Sequence, residues 1–495
     1  MYPIDFFFRA AQAWPSNPAL LEPDNQTVTY AQLAKRVRAL ACYLQVCDPQ
    51  PGSRVGLCGQ NSADYVVAML AIMAAGKVWV PLNTRSTAHE VGRILETVQT
   101  SLVIVDEAGA ELVSPRDQQT ILSMVDLPEA TRSYLDQAPV RYDADQNDTQ
   151  AIKFTGGTTG LPKGVMQPYR AWVAVIVNQI ACWQITAADR YVAGAPLSHG
   201  SGTYVLPTLA QGAAIVLVDA NDPEGLIKAF RDQGGTMTFM PPTLIYKLMQ
   251  TPGASRASFP ALRLMIYGGA PMPSSKIEAA QAFFGPVLAT TFGQTEAPQI
   301  ATCITPDALM DPQTRDSVGR LTWFTEIKIV SPDGEVLPVG EKGEVLIRGD
   351  LVMTGYWKQP EVTATTIRDG WLHTGDVGYL DERGYLFLKE RLRDVIISGG
   401  FNVYPVDVEN VLSQHEAVHE AAVFGLPDEQ WGETVNAAVE LKPGATVDET
   451  ELKAFVREKV GPVLTPKKIW FCESLPRSPV GKVLKTEIRR QYQTN

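Results

Sequence analysis

The densest group of residues able to do chemistry in this chain is 154–164, FTGGTTGLPKG. Gly156, Gly157 and Gly160 allow the backbone to approach a ligand closely and to turn its N–H groups inward. Thr155, Thr158 and Thr159 add hydroxyl donors, and Lys163 adds a positive charge. Together they can hold an anionic polyphosphate, a task for which a plain surface loop has no need of such residues. It is not a Walker loop, because Lys163 follows Pro162 and precedes Gly164 rather than Ser or Thr.

A loop of this kind needs rigid elements on either side. Residues 30–46 carry apolar side chains at helical spacing, with Thr29 placed to cap them. Residues 54–59 read as a short buried strand, 63–75 as a helix and 78–81 as another strand. The runs 101–105 (SLVIV) and 214–218 (AIVLV) are continuous and rich in Val and Ile, which suits parallel strands covered on both faces by helices. The alternation predicts a doubly wound α/β architecture for most of the chain. Between residues 326 and 388 short strands alternate with Asp-Gly and Arg-Gly turns, the pattern of antiparallel β structure. From Asp394 onward the pattern is that of a small α+β unit, with helices at 406–414 and 449–459 and strands at 421–424 and 435–441. The charged stretch KERLRD divides the chain into 1–390 and 391–495.

Composition narrows the class. The chain has 495 residues, 45% hydrophobic and 20% charged, as in an ordinary globular protein able to bury a large core. Lys and Arg number 43 against 54 Asp and Glu, a net charge of −11, which argues against a nucleic-acid partner. Six cysteines lie scattered without a C-x-x-C pair or zinc-ligand spacing, as expected of idle thiols in a reducing compartment. The N-terminus, MYPIDFFFRAAQAWP, is no signal peptide, and the longest apolar run, 65–76, is too short to cross a bilayer. A cytoplasmic protein is expected.

The 154–164 segment resembles the phosphate loop of the adenylate-forming superfamily of acyl-CoA synthetases, aryl-CoA ligases, luciferases and peptide-synthetase adenylation domains. Gly156 stands where that family usually has Ser. Further elements follow in the family's order, from VTYAQL at 28–33 to Lys482. FGQTE at 292–296 is similar to its aromatic-Gly-x-Thr-Glu element, which implies that Thr295 contacts the α-phosphate and Glu296 holds Mg²⁺. By their residue types alone, Thr295 and Glu296 also fit a helix cap with an acidic first turn. The resemblance assigns Gly269, Ala270, Thr291, Phe292 and Gly293 to the nucleotide as well. HTGD at 373–376 implies that Asp376 accepts from the ribose hydroxyls, with Arg391 beside it. Glu390 replaces the family's usual Gly, and Arg393 replaces its hinge Asp or Lys. PRSPVGK at 476–482 matches the loop of the catalytic lysine, Lys482. A cation there would stabilise the negative charge that accumulates as a carboxylate meets the α-phosphate.

The same resemblance implies a CoA-binding group of Ser398, Gly399, Gly400 and Trp431, and a gate at His199. The family's late aromatic-Lys pair is replaced by Val463-Leu464. An apolar acyl pocket would be formed by His199, Gly200, Phe239, Tyr267, Gly268 and Gly269, with no Asp for a substrate ammonium and no evident Arg for a second carboxylate. The implied fold has a large N-terminal adenylation domain of doubly wound α/β subdomains plus a β-rich subdomain. A small mobile α+β C-terminal domain carries the lysine and the CoA tunnel. The implied activity is an AMP-forming acid–thiol ligase using ATP, Mg²⁺ and coenzyme A on an aromatic or medium-chain aliphatic monocarboxylate. A separate carrier protein or another acceptor in place of CoA is the alternative, and a homodimer is left open. The chain runs only thirteen residues beyond Lys482, which favours a free acceptor over a fused carrier domain.

Overall fold

The computed structural model describes residues 1–24, 26–116, 119–155, 163–219, 222–399, 401–478 and 483–493. Among them, four sheets are present. The first runs in the order Gly355–Tyr356, Lys163–Pro168, Thr149–Thr155, Val78–Leu82, Arg54–Cys58, Leu102–Val105, Thr120–Ser123. Its Val-rich centre is parallel and buried, as the unbroken apolar runs predict. Lys163–Pro168 instead returns antiparallel to Thr149–Thr155, which puts Thr155 in register with Lys163. The two ends of the glycine–threonine segment therefore face each other. Thr29 does cap the helix Tyr30–Cys47, accepting from Gln32 in a capping box.

The second sheet has parallel strands at its centre: Leu288–Phe292, Leu264–Tyr267, Met237–Met240, Arg190–Ala193 and Ala214–Leu217. Because they are parallel, their carboxyl ends share one edge, and the segments beginning at Gly293, Gly268 and Pro241 all leave from it. Open α/β sheets bind ligands along that edge. A third, antiparallel sheet holds Thr325–Val330, Gly343–Gly349, Trp371–Leu380 and Leu386–Arg391. The fourth comprises Phe401–Val403, Ile396–Ser398, Gly432–Leu441, Val418–Asp428 and Lys468–Cys472, covered by the helices Pro405–Leu412 and Glu449–Leu464. The last of these helices is broken at Gly461-Pro462, where Gly461 has φ +78°, so its regular part ends close to the expected 459. The chain thus has a large N-terminal α/β part with a β-rich portion and a smaller C-terminal domain. No described helix is long and apolar enough to cross a membrane.

The cysteines are all free. Cys182 and Cys303, 121 residues apart in sequence, nonetheless meet with their sulfurs 2.8 Å apart.

One buried carboxylate fastens the amino ends of the second sheet. Asp189 accepts from Arg263 Nε at 2.7 Å and Nη2 at 2.8 Å, from Thr236 Oγ1 at 2.7 Å and from the Thr186 amide at 2.9 Å. Its side chain is 4% exposed. Burial pushes this carboxyl up, but the Arg263 contacts and the hydroxyl and amide donors outweigh it, and its pKa is held below the usual value. Such a group stabilises the fold above the ordinary carboxylate pKa, and the contribution is lost as pH falls through the folded value. Asp189→Ala leaves the Thr236 hydroxyl, the Thr186 amide and the part-exposed Arg263 without their acceptor and is expected to cost about 1–3 kcal/mol, read as a lowered melting temperature. The difference from wild type should be full at pH 7 and shrink below pH 4 as Asp189 itself protonates; a constant difference would contradict the assignment.

Candidate active site

Asp376 stands at the junction of the sheets, on the strand Trp371–Leu380, directly paired in register with Arg391. Arg391 Nε meets Asp376 Oδ1 at 2.8 Å, and Arg391 Nη1 donates to the Thr374 carbonyl at 3.2 Å. The Gln294 amide donates to the Thr374 carbonyl at 3.0 Å and also to Asp376 Oδ2. Gln294 lies inside FGQTE, so this one side chain joins the second sheet's ligand edge to the third sheet. Asp376 is itself buried, and its amide is held by Thr374 Oγ1 at 3.0 Å.

Glu296 is positioned from a different direction. The Tyr356 hydroxyl donates to Glu296 Oε1 at 2.8 Å, and the Met353 amide donates to the Glu296 carbonyl at 2.8 Å. Tyr356 belongs to the short strand paired with Val165, and Lys163 Nζ sits over its ring at 5.2 Å. Lys163, Tyr356 and Glu296 therefore form one chain of contacts between the end of the phosphate-loop segment and the carboxylate. Burial and then the Glu296 charge push the Tyr356 phenol well up, so it stays a donor. The Thr295 carbonyl accepts from Gln167 at 2.9 Å. Among the described residues no cluster of three or more metal-ligating side chains exists. A single oriented carboxylate nevertheless fits Mg²⁺, which takes one or two carboxylates and completes its shell with phosphate oxygens and water.

The ligand edge of the second sheet carries an aromatic stack. Phe239 lies between Gly200 and Gly268; a Cβ at either glycine would come within 2.9 Å of its ring. Only glycines allow the ring to lie there. Phe239 stacks on Tyr204 with centroids 5.2 Å apart, and Tyr204 stacks on Tyr191 at 5.4 Å. Gln299 donates to the Tyr204 hydroxyl at 3.1 Å. His199 Nδ1 is 2.9 Å from Ser198 Oγ. Tyr267 departs from the expected arrangement: strand alternation places its side chain with Met240, Met265 and Leu288, on the sheet face opposite Phe239. Its contribution to a pocket at this edge is its backbone, not its ring. Gly269 has φ +80° and starts the turn that follows, with Ala270 half-buried beside it. Thr291 is turned inward, donating to the carbonyls of Gln299 and Thr302, and Phe292 is buried.

In the C-terminal domain, Ser398 and Gly399 lie at the turn between Ile396–Ser398 and Phe401–Val403. The Gly399 amide donates to the Trp431 carbonyl at 2.8 Å, and at φ +58° a Cβ on Gly399 would come within 2.7 Å of the indole. Gly399 and Trp431 are therefore in contact, with Ser398 paired to the adjacent Gly432. Arg393, 56% exposed on its side chain, occupies the short turn Leu392–Asp394 that joins the third sheet to the fourth. Gly156, Gly157, Thr158, Thr159 and Gly160 of the loop, Gly400 and Lys482 lie outside the described residues.

Sequence reasoning passed over Gln294, Tyr356, Tyr204, Gln299 and Lys153. Lys153 carried a signal: it is a lysine inside AIKFT, an otherwise core-like strand. It is buried, with Nζ 4.9 Å from the centre of the Trp79 ring, 5.4 Å from that of Trp172 and 3.3 Å from the His199 carbonyl it donates to. It thereby braces the backbone of the expected gate from behind.

With this geometry in hand, comparison with known proteins is decisive. The AMP-binding enzyme family model matches residues 7–357, and the model of the AMP-binding enzyme C-terminal domain matches residues 407–482. The chain belongs to the AMP-binding enzyme family. Its relatives include the feruloyl-CoA synthase of Amycolatopsis sp, 34% identical over 97% of this chain and 98% of that one. Another is the fatty acid–[acyl-carrier-protein] ligase ScoC of Streptomyces coeruleorubidus, 33% identical over 97% and 95%. Among solved structures, the amide bond synthetase McbA from Marinactinospora thermotolerans superposes with a TM-score of 0.91 at 31% identity, over 99% of this chain and 100% of that one.

Burial pulls the Lys153 ammonium of this AMP-binding enzyme down to about 7. The folded pKa is thus below the unfolded one, the unfolded chain binds more protons between the two, and stability rises with pH from about 7 upward. Lys153→Met removes that dependence. Melting temperatures measured at several pH values from about 6.5 to 9 should climb less in the variant than in wild type; parallel curves would contradict it.

Proposed function

We propose that the protein is an ATP-dependent carboxylic acid–CoA ligase. The observation that carries this reading is the Asp376–Arg391 pair, tied through Gln294 to the segment that presents Thr295 and Glu296. Asp376 would accept from the ribose hydroxyls, with Arg391 fixing its orientation. Glu296, steered by Tyr356, would hold Mg²⁺, which neutralises charge on the departing pyrophosphate. Lys163, Thr155 and the intervening glycines and threonines would hold the phosphates. Lys482 would sit between the carboxylate and the α-phosphate.

The reaction has two half-steps. A carboxylate oxygen attacks the α-phosphorus of ATP, an acyl-adenylate forms and pyrophosphate leaves. The C-terminal domain, residues 391–495, then turns about Arg393 and carries Ser398, Gly399, Gly400 and Trp431 toward the adenylate. The thiol of CoA, losing its proton, attacks the acyl carbonyl and AMP leaves. Hinge motions of this type exchange one set of catalytic groups for another around a fixed ligand. The Phe239–Tyr204–Tyr191 stack and the small residues Gly200 and Gly268 support an apolar monocarboxylate, aromatic or medium-chain aliphatic, with His199 as gate. The feruloyl-CoA synthase relative agrees with that class.

The acceptor has one rival reading, favoured by the relatives that are a carrier-protein ligase and an amide bond synthetase. Pyrophosphate and acyl product measured side by side, with ATP, Mg²⁺ and a panel of acids, with CoA, without it, or with an amine, separate the two. Thioester formed only with CoA is the expected result; pyrophosphate release without thioester rejects CoA as acceptor. Lys482→Ala should lower adenylation about 10²-fold or more. Asp376→Ala should raise the KM for ATP about tenfold or more while the KM for the acid changes little; an unchanged KM for ATP would remove Asp376 from the nucleotide site.

A further inference from the structure

Three half-buried charged side chains meet where the C-terminal domain joins the rest of the chain. Lys485 Nζ lies 2.6 Å from Glu390 Oε2 and 2.9 Å from Glu409 Oε1. Their side chains are 21%, 11% and 16% exposed. The three belong to two bodies. Glu390 is on the strand Leu386–Arg391, paired with Val377 in the third sheet. Glu409 is in the helix Pro405–Leu412 against the fourth sheet, and Lys485 opens the helix Lys485–Gln493 of the same domain. A second pair, Lys389 to Asp407 at 2.8 Å, crosses at the same place.

We propose, resting on the ligase reading above, that Glu390 is a positioning residue for the adenylation half-step. Its bond to Lys485 latches the C-terminal domain in the orientation seen here. In that orientation Arg477, which precedes the Lys482 segment, lies near the N-terminal part. Arg477 and Val483 form an isolated β-bridge at the base of the segment. The charges of Arg477 and Glu420 act on Tyr246, in the helix Pro242–Gln250 that follows the Phe239 strand. Lys276 in turn feels Glu420 and Glu440. Meanwhile Ile397, Phe401 and Trp431, around the Gly399 turn, are exposed.

Rotation about 392–394 would leave Glu390 with the third sheet and carry Lys485 and Glu409 away together. Lys485 never loses its last carboxylate, because Glu409 travels with it. That makes the latch releasable, since a lysine stripped of every partner in a buried site would pay the full desolvation penalty. Glu390 also explains a departure in the sequence: the position the family usually gives to Gly here bears a side chain that reaches across the hinge to Lys485.

The test separates the half-steps. Acid-dependent ATP–pyrophosphate exchange reports adenylation, and thioester formation from pre-formed acyl-adenylate and CoA reports the second step. Glu390→Gln is expected to lower exchange about tenfold and to leave thioester formation unchanged or faster. Lys485→Arg, which can still reach both carboxylates, should keep exchange within about twofold. Tryptic cleavage at Arg391 and Arg393 should be faster in Glu390→Gln than in wild type. Unchanged exchange in Glu390→Gln, or an equal loss in both half-steps, overturns the latch. Absence of exchange in the wild-type protein with every acid would instead overturn the ligase reading on which it rests.

Discussion

The arrangement of this molecule depends on one ion pair. Asp376 and Arg391 lie opposite each other on adjacent antiparallel strands, so backbone pairing already sets their separation before the side chains meet. Arg391 is the last residue of its strand, and the turn to the C-terminal domain begins at the next residue. The pair therefore sits where the third sheet ends and the turn into the C-terminal domain begins. Through Gln294 it also holds the segment leaving the second sheet. A buried carboxylate needs such partners, since without them the cost of desolvation would raise its pKa and discharge it.

Around that pair the two main sheets contribute by different means. The second sheet supplies an edge: parallel strands end together, so Phe239, Gly268 and Gly293 come to one line although far apart in the chain. The first sheet supplies a register, setting Thr155 against Lys163 across a segment whose glycines and threonines carry the donors. Tyr356 couples the two, touching Lys163 with its ring face and Glu296 with its hydroxyl. Ordinary packing and hydrogen bonding thus join Lys163 and Glu296 through Tyr356, and Asp376 to the same FGQTE segment through Gln294.

The C-terminal domain follows a different economy. Its own core is closed by Val408, Val423, Val439 and Leu452 among others, while its contacts with the remainder include two ion pairs, Lys389 with Asp407 and Lys485 with Glu390. Apolar contact is insensitive to direction and hard to exchange, whereas ion pairs flanked by a spare partner can be broken and remade at modest cost. Such pairs suit the domain movement proposed above.

The sequence by itself determined the fold class, the antiparallel character of 326–388 and the helix cap at Thr29, because these follow from local periodicity and turn chemistry. It also determined the identity of Asp376, Arg391, Glu296 and Lys163 as candidates, since motif order is a property of the chain alone. Only the tertiary structure decided which groups hold them. Gln294, Tyr356 and Lys485 act across 82, 60 and 95 residues, and no local pattern marks a partner at that range. It also decided the side to which Tyr267 turns: a strand's period of two gives opposite faces to neighbours, but not which face meets the ligand edge. Lys153 shows the remaining gap. Its residue type spoke for the surface, and only the enclosing rings of Trp79 and Trp172, brought from distant segments, made an interior position tolerable.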